Sequence, residues 1–149
     1  MKQHGVSMAS ATLLASVLVS CGTNDHPDTR AVDAGGVTVL AETERFTGLA
    51  RGVGVFGTLE LVKGRCVGFT FGGQPTLIVF PGGTAVHGRG RNLVVSVGDV
   101  ELRLGDHFEA GSRENGSRAL SNFGDLDRQT PARCRSAKAL PVEEFAKQP

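Results

Sequence analysis

The chain has 149 residues, 40% of them hydrophobic and 21% charged, with a formal net charge of +1. That length suits one domain with a modest core, and a charge so near zero gives no reason to expect nucleic acid as a partner. Trp and Tyr are absent, which removes the usual stacking platforms for sugars and bases. The 21 glycines instead point to a chain with many tight turns.

In chain order, Lys2 is followed by an uncharged, small or apolar stretch from Val6 to Val19. Its 14 residues match the apolar region of an export signal and fall short of the ~20 needed to span a bilayer as a helix. The four residues that follow the core of this stretch, Leu18-Val19-Ser20-Cys21, resemble the lipobox of bacterial lipoprotein signal peptides at all four positions. The resemblance implies that residues 1–20 are a signal peptide removed before Cys21. It also implies that the Cys21 sulfur carries a diacylglyceryl group with palmitate-type chains. Two such chains anchor stably where one binds marginally. The expected location is the outer face of the bacterial cell membrane, with the lipid as the membrane partner. The alternative is an ordinary secretory signal with Cys21 a plain thiol.

Residues 21–46 read as the lipid-anchored terminus and a flexible tether. The stretch Gly22 to Gly36 is rich in Asp, Thr, Gly and Asn and offers little apolar surface against the entropy of ordering it.

Strand signals are expected over residues 47–145, ahead of a short tail at 146–149. Val53, Val55, Gly57, Leu59 and Leu61 alternate along one face. Cys66 to Phe71 forms a short run between Lys63-Gly64 and Gly72-Gly73, and Thr76 to Phe80 is a continuous apolar run ended by Pro81-Gly82-Gly83-Thr84. Glycine accepts φ > 0, so such breaks suit hairpin turns. Two further strands flank Gly98-Asp99, with Val100, Leu102 and Leu104 on one face and Glu101 and Arg103 on the other. A third, His107 to Gly111, follows Gly105-Asp106. The polar stretch from Gly111 to Cys134 reads as a long surface loop. A last strand near Ala139 to Val142 is followed by a helical turn or frayed end. The predicted class is all-β: a small antiparallel barrel, OB-like or SH3-like, or a compact sandwich. Residues from about Thr47 to Phe145 are expected to fold without the segment before them.

Gly57-Thr58-Leu59, Cys66, Pro81-Gly82-Gly83-Thr84 and Gly105-Asp106 together resemble a recurring actinobacterial type of secreted or lipid-anchored small β domain. That type has no assigned activity, so the resemblance bears on fold alone.

With Cys21 taken by lipid, Cys66 and Cys134 remain as an even pair. In an exported chain this favours a disulfide, with two buried free thiols or a redox pair flanked by Arg65, Arg133 and Arg135 as alternatives. No catalytic residue, metal ligand or cofactor is expected from a motif: neither a Gly-x-Ser-x-Gly elbow, a His-Glu-x-x-His pair nor a phosphate loop occurs. The expectation is a non-catalytic binding or accessory module of the cell envelope, whose partner is an envelope protein or a small ligand. The alternative is an envelope enzyme or metal-dependent accessory subunit with a loop site near His87, Asp99 and His107. It requires folding to bring those three residues together.

Overall fold

A computed structural model of the chain describes residues 28–44 and 53–149. Cys21 and the expected signal peptide lie outside the described residues. Thirteen strands, one four-residue α-helix and three 3-10 turns make up the described part, which is the all-β class expected from the sequence.

The largest sheet is built from β1 (Thr29–Asp33), β2 (Thr38–Glu42), β4 (Glu60–Val62), β5 (Cys66–Phe71), β6 (Gln74–Phe80), β11 (Arg118–Ala119) and β12 (Lys138–Pro141). Lys63 and Gly64 turn β4 back onto β5, and Gly72-Gly73 turn β5 onto β6, all four with positive φ. A second sheet orders β13 (Glu143–Lys147), β10 (His107–Ser112) and β3 (Val53–Thr58). A third is the meander of β7 (Ala85–His87), β8 (Val94–Val97) and β9 (Val100–Arg103). Two stretches cross from one sheet to the next. β3 runs through the fully buried Leu59 into β4, and β12 runs through Val142 into β13. The sheets therefore curl around a common interior as a half-barrel.

The pairing is mixed rather than wholly antiparallel. β12 runs parallel to β6 over Thr76–Val79, and β2 runs parallel to the end of β6 at Leu40↔Val79 and Ala41↔Phe80. The β5–β6 ladder stops at Gly68↔Leu77, and β2 fills the edge of β6 that β5 leaves. Gly68 lets this happen. A Cβ there would strike the Thr76 carbonyl oxygen and come within 2.7 Å of Val62 Cγ2.

This sheet is covered on both faces, which explains its unbroken apolar runs. Val39, Ala41, Val67, Phe69, Ile78 and Phe80 point into the curled interior with Val55, Leu102, Phe108, Val142 and Phe145. The alternate residues Leu40, Cys66, Leu77, Val79 and Ala139 face a second core closed by Leu120, Phe123, Leu126 and Cys134. Phenylalanines fill the interior. Phe69 meets Phe108 edge-on at 5.4 Å between ring centroids, and Phe80 stacks on Phe145 at 5.3 Å.

Three expectations are corrected. Residues 28–44, expected to belong to a tether, form β1 and β2, and all five residues of β2 are buried. The driving force is the run Val37 to Ala41, whose side chains complete both cores. The stretch from Gly111 to Cys134 is more than a surface loop. It carries β11, a helix α1 (Leu126–Gln129) and 3-10 turns at Leu120–Asn122 and Ala132–Cys134, and its buried Leu120, Phe123, Leu126 and Cys134 cap the second core. The end of the chain is strand rather than helical turn or tail: β13 extends to Lys147 and pairs with β10.

Candidate functional site

The described residues bury one concentrated group of charge, at the seam where β2, β10 and β13 meet. Its position follows from local backbone chemistry. β10 and β13 shift register between Glu109 and Gly111, and Glu144 adopts a φ of 52°, uncommon for a residue with a Cβ. This bulge brings Glu143 opposite Gly111 and turns it inward. Just beyond, the buried Ser112 hydroxyl donates to the Pro141 carbonyl at 2.7 Å and accepts the Glu114 N–H at 3.2 Å. That clip fixes the chain leaving β10, so that Arg113 lies between two acids. It pairs with Glu42 at the end of β2 and sits 2.9 Å, Nε to Oε1, from Glu143.

Glu114 pairs with Arg118 one helical-type step away, and the Arg118 guanidinium lies 4.9 Å from the Phe123 ring centroid. Arg113 and Arg118 have further interactions besides these. Glu42 is only 4% exposed, and its Oε2, like Glu114 Oε2, is buried with no hydrogen-bond partner. Burial pushes the Glu42 carboxyl up, as do Glu143 and Glu114, and this outweighs Arg113 to leave it at about 6. Glu143 is also raised, by burial and by Glu144 against the pull of Arg113. Chemically the group is an ion-pair network with excess acid.

The pair Cys66 and Cys134 is joined. Cys66 in β5 and Cys134 at the end of the last 3-10 turn form a disulfide with Cα atoms 6.4 Å apart, both fully buried in the second core. The three residues of the alternative loop site are placed separately. His87 ends β7, level with Val94 and, one strand further, Arg103. Asp99 is exposed in the turn at the other end of β8 and β9. His107 begins β10, with Nδ1 2.8 Å from the Thr58 hydroxyl. About four strand residues, some 13 Å, separate the level of His87 from that of Asp99. Among the described residues no three histidine, cysteine or acidic side chains converge as a metal set.

Arg89, in the basic glycine loop that follows His87, lines an open depression of about 310 Å³ with Asp33 and Val86. Asp106, between β9 and β10, has some burial raising its pKa. The hydrogen bonds from Lys147 Nζ at 2.8 Å and the Arg103 N–H at 2.7 Å prevail and lower it.

Sequence reasoning missed Glu42, Arg113, Glu114, Arg118 and Glu143. Only Glu42 carried a readable sign, as a charge ending the run Val37 to Ala41. Compared with protein-family models, curated proteins and solved structures, the chain matches none.

Proposed function

We propose that the mature chain is a lipid-anchored protein of the cell envelope, held through Cys21, whose β domain is a non-catalytic binding or accessory module outside the membrane. The observation that carries the binding reading is the filled interior. Phe69, Phe80 and Phe108 are fully buried inside the curled sheets, so a partner is met on the outer surface. Phe56, 65% exposed on β3, is the most exposed large apolar side chain among the described residues. Export is supported separately by the Cys66–Cys134 disulfide, since such bonds persist in oxidising compartments. The lipobox resemblance at Leu18 to Cys21 supports the anchor.

Intact-mass analysis of protein taken from its native membranes tests the anchor. The expected chain begins at Cys21 with acyl mass attached. A chain that begins elsewhere without acyl mass refutes it. Cross-linking in those membranes tests the module, with an adduct expected for the native chain and lost in Phe56→Ser. A metal-dependent activity abolished in both His87→Ala and His107→Ala would favour the enzyme alternative instead.

A further inference from the structure

Among the described residues, the seam between the sheets holds more acid than base. Glu42 from β2 is faced by Arg113 and Glu114 from the chain leaving β10, and by Glu143 from β13. Arg118 neutralises part of Glu114, and the charge of Glu144 repels that of Glu143. With every carboxylate ionised, Glu42, Glu114 and Glu143 outnumber the guanidiniums of Arg113 and Arg118 by one charge. Two carboxylate oxygens of this group, Glu42 Oε2 and Glu114 Oε2, are buried without a hydrogen-bond partner, an arrangement that is costly for an ionised acid.

We propose that the Glu42–Arg113–Glu143 junction takes up one proton in mildly acidic solution and acts as a pH-operated clasp between β2 and the β10–β13 pair. Protonation of Glu42 removes its repulsion with Glu143 and Glu114, and leaves Arg113 to Glu143. It also turns an acceptor without a donor into a hydroxyl. When the seam opens, Glu42 enters water and its affinity for the proton falls to that of an ordinary glutamate. The closed seam therefore binds a proton that the open seam releases, and acid favours closure. With Glu42 at about 6 when closed and 4.5 when open, the opening equilibrium at pH 5 is about eightfold smaller than at pH 7.5.

Hydrogen exchange of the backbone amides of Thr38–Glu42 and Glu143–Lys147 in the full chain measures this opening, once corrected for the pH dependence of the chemical step. The expected result is about eightfold rarer opening at pH 5 than at pH 7.5. In Glu42→Gln, the eightfold change should shrink to what Glu143 contributes and, at pH 7.5, opening should be rarer than in the native chain. Equal opening at both pH values in the native chain overturns the proposal, as does an eightfold change retained in Glu42→Gln. Should that variant not fold, the carboxyl-carbon chemical shift of Glu42 in the native chain decides. A midpoint near 6 supports the clasp, and one below 5 overturns it.

Discussion

Removing the disulfide is the most quantitative perturbation the structure offers. The bond joins residues separated by 68 positions, and closing a loop of that length in the unfolded chain is worth roughly 4 kcal/mol by chain entropy. The bonded sulfurs sit in the second core beside Leu40, Leu77, Leu126 and Phe123, so each replacement by alanine also loses about 1 kcal/mol of buried contact. Cys66→Ala and Cys134→Ala are thus expected to cost about 4–5 kcal/mol each. The double variant should cost little more, because the first substitution has already removed the cross-link. Urea unfolding without reductant measures all three. The slope of free energy with denaturant should rise in each, since the uncrosslinked unfolded chain exposes more surface. Additive losses in the double variant, or a Cys134→Ala cost below 1 kcal/mol with Cys66→Ala large, would refute the cross-link as the source. The segment carrying Leu120, Phe123 and Leu126 has no other covalent hold on β5, so its amides should lose exchange protection first.

Other expected outcomes follow from the same packing. A chain starting at Val37 lacks β1, which pairs with β2 over five residues and ties to the second core through Thr29 Oγ1 donating to the Phe123 carbonyl at 2.9 Å. Its melting temperature should fall by about 5–10 °C, corresponding to roughly 2 kcal/mol. A chain starting at Thr43 also loses the buried Val39 and Leu40, and should show no cooperative melting transition by calorimetry. Gly68→Ala should cost about 3 kcal/mol or more in denaturant unfolding, because its methyl meets a backbone carbonyl that cannot move aside. Phe108→Ala should cost about 3–5 kcal/mol in the same assay, and the exposed Phe56→Ser less than ~0.5.

The parts of the fold that were legible are those whose signal is local. β5, β6, β8, β9 and β10 are alternating or continuous apolar runs bounded by glycines, and Gly64, Gly72, Gly73, Gly98 and Gly105 do take the positive φ those turns require. Within Thr76 to Phe80, residues Leu77 to Phe80 are apolar without a break, which agrees with their division between the two cores. β2 carried the same sign in Val37 to Ala41, bracketed by Gly35-Gly36 and Glu42, but its polar flanks concealed it. β13 read as helical because Glu143, Glu144, Ala146 and Lys147 are good helix formers. Pairing with β10 overrides that preference, as tertiary context commonly does for strands. Parallel pairing of β6 with β12 and β2 left no mark in the sequence, because it joins segments dozens of residues apart.

The charged seam was illegible for a related reason that also explains why it exists. A sheet covered on both faces must hand its chain over to the second sheet somewhere, and β12 does so at Pro141 and Val142. Pro141 offers no N–H, and Val142 extends the hold on β6, its N–H reaching the Val79 carbonyl at 3.0 Å. The bulge and the positive φ of Glu144 then redirect the chain onto β10. At such a corner the two apolar layers diverge, and the space between them borders the ends of β2 and β10 as well. An apolar side chain at Glu42 or Glu143 alone would leave Arg113 a single carboxylate partner, and with it a tie to only one of the two strands. A pair of apolar replacements without Arg113 would remove the ion pairs that tie β2 to β13, leaving the Ser112–Pro141 hydrogen bond to direct how the sheets meet there. The network is tolerated because it fixes how the sheets meet, and its excess acid makes that meeting depend on pH. Each side chain in it is unremarkable in the sequence; only the convergence of three strand ends makes Glu42 different from the exposed Glu101 or Glu109.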